Sequence, residues 1–397
     1  MLGWEFPPNH SGGLGTACYG LTKALSSEGV DVTFILPTRL DKDIHADFVR
    51  LIGANIRFRT IDSPLSGYMT TASYRQMTEN APAKMAMYGR DLMEEVERFS
   101  DKVREIAKRE SFDIIHAHDW LTYKAGINAK EISKKPLVVH VHATEFDRCA
   151  GNTINQEVYD IEREGFNAAD SVITVSNFTK NMVVEHYDVD PSKIQVVHNA
   201  VDFKAESIQE SETPALTKTD KIVLFLGRIT IQKGPDHFLQ VAKRVLEKMP
   251  DVKFVVAGSG DMERYMIERT AELGLNKNVM FTGFLRGSDI DMAYKMADVY
   301  LMPSVSEPFG ITPLEAMMHG TPTIISKQSG VSEVVSNCLK VDFWDTDEMA
   351  NKILAILNYQ GLSETLKENA YEEVRKFDWK IPAKKCVGIY NKLVGRK

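Results

Sequence analysis

Short apolar runs alternate with helix-period stretches along almost the whole chain. Residues 30–36, 114–117, 137–141, 171–175 and 194–197 read as strands, with helical stretches such as 84–106 between them. Near-continuous Val/Ile/Leu strands separated by helices imply parallel sheets covered on both faces. The pattern then restarts. Residues 222–226, 253–257, 279–281, 299–302 and 322–325 form a second series of strands, again with helices between. Between the two series, 203–220 is rich in Glu, Ser, Thr and Lys and poor in large apolar residues, which predicts an interdomain linker with a surface excursion. The economical architecture is α/β: two successive doubly wound domains facing across a cleft, with ligands outside the carboxyl ends of the strands. Met1-Leu2-Gly3-Trp4 reads as the end of a first strand, so a segment preceding it is expected.

A length of 397 residues exceeds what one core usually supports, which agrees with two domains. A hydrophobic content of 43% with 26% charged residues predicts a soluble globular protein. The formal net charge of −7 argues against a broad nucleic-acid surface. No apolar run reaches the roughly 18 residues of a membrane span. No basic stretch followed by an apolar one opens the chain, so a cytoplasmic location is expected. Cys18, Cys149, Cys338 and Cys386 are widely spaced without a C-x-x-C pair, which predicts reduced thiols rather than a metal site.

Candidate chemistry concentrates between Ser304 and Glu315. Glu307 and Glu315 lie eight positions apart, with Gly310 and a helix start between them. Thr312 has the character of an N-cap, Pro313 suits the first helical position, and Glu315 falls where a capping box places a carboxylate. The first N–H groups of a helix lack intrahelical partners, so this start, preceded by Phe309-Gly310-Ile311, predicts an anion site, most naturally for phosphate. Glu315 has two open roles, capping the helix or reaching a ligand hydroxyl. A second glycine-rich turn, Ser11-Gly12-Gly13-Leu14-Gly15-Thr16, precedes a helix with Ala17, Leu21, Ala24 and Leu25 on its buried face. His116-Ala117-His118-Asp119-Trp120 closes one strand, and His140-Val141-His142-Ala143-Thr144-Glu145-Phe146-Asp147-Arg148 closes the next. Within each string the two histidines share a strand face. The first string invites a metal reading, but no third ligand follows at zinc spacing, so no metal is expected.

The string from Glu307 to Glu315, E-P-F-G-I-T-P-L-E, resembles the E-x7-E signature of the retaining GT-B glycosyltransferases. H-A-H-D-W, H-A-T-E-F-D-R and the G-G-L-G turn are similar to strings of the glycogen synthase-like group within that family. The resemblance covers nearly the whole chain. It implies the GT-B fold: a Rossmann-like acceptor-side domain over 1–203, a Rossmann-like donor domain over 204–379, and a last helix, 380–397, packing back on the first domain. It implies a nucleotide-sugar donor, ADP-glucose or UDP-glucose, with no required cofactor, and a glucan or other glycan as acceptor.

The same resemblance implies roles for individual residues. His142 would lie over the donor sugar and Glu307 would contact it. Arg228 and Lys233, which follow the first strand of the second series, would hold the diphosphate together with the backbone of Phe309, Gly310, Ile311 and Thr312. Glu315 would bind the ribose, and Gly12 and Gly13 would approach the donor. Asp119, Trp120, Glu145, Asp147 and Arg148 are the candidate acceptor-side contacts. One departure stands out: His10 and Ser11 occupy positions where well-known starch and bacterial glycogen synthases carry Lys-Thr or Lys-Val, so that lysine's role is unfilled or moved. Asp289-Ile290-Asp291 matches the D-x-D pattern of metal-dependent glycosyltransferases of the other major fold. Here Ser288 is expected to cap a helix, with both aspartates in its first turn, so no catalytic metal is expected. A family member acting on a lipid-linked glycan or small sugar, and a non-catalytic nucleotide-sugar-binding protein, remain the alternatives.

Overall fold

The computed structural model describes residues 1–7, 12–38, 56–63, 74–75, 90–202 and 220–396. They divide into two compact units, Met1–Glu145 with Ile154–Asn199 and Trp379–Lys397, and Phe146–Thr153 with Ala200–Asp378. The division falls ahead of the 203/204 boundary read from the sequence, and residues 146–153 group with the second unit. Apart from Asp220, the expected linker lies outside the described residues, as do His10 and Ser11.

The first unit contains α1 (Gly13–Ser27), β1 (Val32–Thr38), β2 (Ile56–Asp62), α2 (Leu92–Ala107), β3 (Ile115–His118), α3 (Trp120–Ser133) and β4 (Leu137–Val141). The helix α4 (Glu145–Cys149) then leads across the division, and α5 (Gln156–Ala168), β5 (Ser171–Thr174), α6 (Asn177–Tyr187) and β6 (Ile194–Val196) complete the unit's central part. β1 pairs with β2, and β3-β4-β5-β6 form a second run; every pairing is parallel. Leu2 stitches the two runs together through parallel bridges to Ile35 and Ala117. The short start of the chain thus lies centrally, and the winding reverses between it and β3. All five residues of β4 are buried, as a central parallel strand requires. The helix expected over 84–106 begins at Leu92, where the Asp91 side chain accepts from Glu94 N at 2.9 Å; 84–89 lie outside the described residues. The C-terminal helix Lys380–Val394 packs on α1. A Cβ on Gly20 would come within 2.3 Å of the Trp379 ring, so glycine is what admits this close approach.

The second unit contains β7 (Ile222–Leu226), α7 (Pro235–Leu246), β8 (Lys253–Ala257), α8 (Glu263–Glu272), β9 (Val279–Gly283), α9 (Ser288–Met296), β10 (Val299–Met302) and α10 (Thr312–Met318). β11 (Thr323–Ser326), β12 (Leu339–Val341), α11 (Thr346–Asn358) and α12 (Gln360–Val374) follow. The parallel sheet runs β12-β11-β10-β7-β8-β9, the doubly wound order with its reversal between β7 and β10. Phe238, Val241 and Val245 of α7 and Met349 and Ile353 of α11 are buried in one cluster with Val223, Phe225, Phe254 and Val256 of the sheet. Each such side chain contributes about 1.5–3 kcal/mol by leaving water. This core holds rigid the strand ends from which the candidate site is built.

Candidate active site

In the second unit the loops after β7 and β10 meet at the reversal point. After β7 comes Gly227-Arg228, and then a short 3-10 turn, Ile231–Lys233. Gly234 follows with φ +65°, and a Cβ there would lie 2.1 Å from Pro303 O, so glycine lets the first loop close onto the second. Val305 N donates to Gln232 O at 2.9 Å, pinning the two loops together. The Lys233 ammonium reaches Glu307 Oε2 at 2.6 Å, and Ser304 Oγ donates to the same oxygen at 3.2 Å. Glu307 is buried, and its backbone is fixed on both sides: Glu307 N donates to Gln328 O at 3.0 Å and Gly330 N to Glu307 O at 2.9 Å. This carboxylate is therefore a preorganised group, charge-compensated by Lys233. Arg228 stands half-buried on the same strand-end loop.

Gly310 has φ +98°, and a Cβ would come 3.1 Å from Glu307 Cγ. The Phe309 and Ile311 side chains are buried, so these residues can offer a ligand their backbone only. The expected capping box does not form. Ile311 is the N-cap of α10 and makes no side-chain cap bond; Thr312 is the first helical residue and Pro313 the second. Thr312 Oγ1 instead accepts from Tyr300 OH at 2.7 Å, and Glu315 Oε2 accepts from Tyr294 OH at 2.9 Å. A tertiary hydrogen bond thus takes the carboxylate that a local motif would have used. Burial raises the Glu315 carboxyl above the usual range, and the Tyr294 hydrogen bond opposes that shift. Tyr294 stacks on His319, whose Nε2 lies 3.1 Å from Asp291 Oδ1. The D-x-D string does open a helix, but Gly287 rather than Ser288 is the cap of α9, and Asp291 supports this stack.

In the first unit, His116, His118, His140 and His142 gather at the ends of β3 and β4. His116 Nδ1 lies 2.5 Å from Tyr390 OH and its Nε2 3.2 Å from His140 Nδ1; His118 Nδ1 lies 3.0 Å from His142 Nε2. Burial, reinforced for the other three by neighbouring groups, holds His142 down to about 3 and His116, His118 and His140 well below the ordinary histidine value. All four are neutral near pH 7. Asp119 Oδ1 accepts from the backbone N–H of His142 at 2.7 Å and of Ala143 at 3.3 Å, so it positions His142. Asp119 and Trp120 are both buried. Glu145 Oε1 accepts from Asn155 N at 2.9 Å. Asp147 groups with the second unit, where its Oδ1 accepts from Ser306 Oγ at 2.6 Å beside Glu307. These three carboxylates, singled out for the acceptor side, make internal hydrogen bonds, while Arg148 is half-buried in the last turn of α4. Gly12 caps α1 in extended backbone, and a Cβ on Gly13 would meet nothing within 4 Å.

Two family descriptions cover these units in turn. Residues 11–205 match "Glycosyltransferase Family 4", and 207–373 match "Glycosyl transferases group 1". The chain is 32% identical over 405 residues to an uncharacterised glycosyltransferase of Methanocaldococcus jannaschii, with 98% of this chain and 97% of that one covered. The chain belongs to the GT-B glycosyltransferases. This glycosyltransferase is also 24% identical to a glycogen synthase of Mycobacterium tuberculosis and to a D-inositol 3-phosphate glycosyltransferase of Corynebacterium glutamicum, each over 98% of this chain and 93% of the relative. Among solved structures, Anabaena HepE in complex with UDP and glucose superposes with a TM-score of 0.71 at 18% identity, covering 99% of this chain and 100% of that one.

Several groups in this glycosyltransferase were not signalled by motif. Tyr294, Tyr300 and His319 act through tertiary hydrogen bonds between elements, and Ser304 bonds Glu307 within one loop. The third group near the H-A-H string also comes from elsewhere in the chain. Cys18, His118 and His142 bring ligand atoms within 4.8 Å of one another, as do His116, His118 and His140. Linear spacing along one strand could not reveal that.

Proposed function

We propose that this glycosyltransferase moves a glucosyl unit from ADP-glucose or UDP-glucose to an α-1,4-glucan, with retention of anomeric configuration. The observation that carries the reading is the Lys233–Glu307 pair, fixed at the reversal point of the second unit beside the start of α10. Cleaving the sugar–phosphate bond places negative charge on the departing diphosphate. Arg228, Lys233 and the N–H groups of Gly310 to Thr312 are the groups that would stabilise that charge. Glu315, oriented by Tyr294, would hold the ribose hydroxyls. Glu307 would contact the transferred sugar, and His142 is the other candidate sugar contact read from the sequence. With its charge compensated by Lys233 and the same oxygen hydrogen-bonded by Ser304, Glu307 is poorly suited to act as a nucleophile. Attack by the acceptor hydroxyl from the leaving-group side is the mechanism that fits. The acceptor proton would pass to a departing phosphate oxygen. No step draws on a metal.

The glycogen synthase relative supports the glucan acceptor, and the UDP and glucose bound to HepE support the donor class. The inositol-phosphate relative, equally similar, favours a small phosphorylated acceptor as the second reading. Nucleoside diphosphate release from a panel of ADP- and UDP-sugars, with and without glycogen, tests both. Release from one glucose donor that depends on glycogen is expected. Release that responds only to a small sugar phosphate would favour the second reading, and binding without release would favour a sensor.

A further inference from the structure

The first unit holds a set of metal-ligating donor atoms of which the proposed transfer uses only His142. Cys18 lies in the second turn of α1, His118 ends β3, and His142 follows β4. Their ligand atoms all lie within 4.8 Å of one another. His118 Nδ1 and His142 Nε2 are 3.0 Å apart, a few tenths of an ångström below the spacing of about 3.3 Å between two nitrogens on a tetrahedral zinc. The set also lies in a part of the first unit where buried polar atoms are short of partners. His118 is fully buried, and its Nε2 has no hydrogen-bond partner among the described residues; the same is true of His140 Nε2. A buried polar atom left without a partner costs about 1–3 kcal/mol. The ring of His118 is meanwhile held in place by stacking between Phe34 and His116.

We propose that Cys18 Sγ, His118 and His142 form a binding site for one divalent cation of the zinc class, with the fourth position open to water. One thiolate and two imidazoles are the donor set such a cation prefers over magnesium or calcium. Both imidazoles are neutral in the folded protein; the one that donates the hydrogen bond between them shifts its proton to its other ring nitrogen, so that both facing nitrogens offer lone pairs. On binding, the Cys18 thiol gives its proton to solvent and two metal–nitrogen bonds replace the His118–His142 hydrogen bond. His142 is half-buried and provides the way in, while Cys18 and His118 are enclosed. The cation is a ligand of the folded first unit and takes no part in bond cleavage. Its occupancy of His142 predicts inhibition of transfer that chelation reverses.

The test is direct binding to chelator-treated full-length protein, independent of any turnover. Zn²⁺ is titrated calorimetrically, and Co²⁺ is added as a spectroscopic probe. One ion per chain, proton release on binding, and a thiolate-to-cobalt charge-transfer band are expected. Cys18→Ser should abolish the band and weaken Zn²⁺ binding at least 100-fold, whereas Cys149→Ser should change neither. His142→Gln, at a half-exposed position, provides a second variant should Cys18→Ser fail to fold, and should weaken binding similarly. No charge-transfer band in the parent protein, or equal affinity in a folded Cys18→Ser or His142→Gln variant, would overturn the site.

Discussion

Lowering the pH should destabilise the first unit well before its carboxylates titrate. Four histidines are packed together there and kept neutral by burial. Their folded pKa values lie below the unfolded value near 6.5, so between the two the unfolded chain binds more protons. The stability they contribute is complete above about pH 6.5 and is lost as pH falls towards the folded values. For His142, held to about 3, the loss between pH 6 and pH 5 is about 1.2 kcal/mol, and the other three act with the same sign. Even one such loss is a sizeable share of a typical domain's stability, roughly 5–15 kcal/mol. Urea unfolding at pH 6 and pH 5, in chelator so that no metal competes with protons, measures the loss. His237 and His319 of the second unit are also shifted down and act with the same sign, so a variant must assign the effect. His142→Asn removes the one held down to about 3. Whatever it costs in absolute stability, the pH 6 to pH 5 difference should shrink by about 1.2 kcal/mol. An unchanged difference in the variant, or a parent protein equally stable at both pH values, would refute the reasoning.

The site supports further expectations. Arg228→Ala should leave the circular dichroism spectrum intact and lower kcat by about 100- to 1,000-fold, the usual cost of removing one group that stabilises charge in a transition state. Unaltered turnover would remove Arg228 from the diphosphate. Tyr294→Phe should raise the donor KM several-fold with a smaller effect on kcat, because it frees Glu315 to turn without touching the reacting atoms. It should also move the acid limb of donor binding upwards, since the lost hydrogen bond favours the ionised carboxylate. A KM and pH profile matching the parent would show that Tyr294 does not position Glu315. Gly234→Ala should cost about 2 kcal/mol or more in thermal unfolding, because it strains a positive φ and drives a methyl against Pro303 O. Parent-like melting would contradict the loop closure described here.

Legibility in the sequence followed the range of the interactions. β4, β7, β8 and β10 occupy the very residues their apolar runs indicated, because a central parallel strand must be apolar on both faces. β12 is only three residues long and carries too little pattern to be seen. β2 alternates apolar and polar residues only over 56–59, and Thr60-Ile61 break the period. The residues of the candidate site could be named because they follow strand ends and glycines. Their partners could not. Tyr294 reaches Glu315 from α9, Lys233 reaches Glu307 from the loop after β7, and Cys18 approaches His118 from α1. The capping box failed for the same reason: a tyrosine two elements away competed successfully for the glutamate.

Proton NMR of the reaction with α-configured ADP-glucose or UDP-glucose and a short α-1,4-glucan tests the central claim most directly. The account predicts one nucleoside diphosphate released for each new α-linked glucosyl unit from the outset of the reaction. A β-linked product would contradict retention, and the absence of any new linkage from glucose donors would contradict the proposed transfer itself.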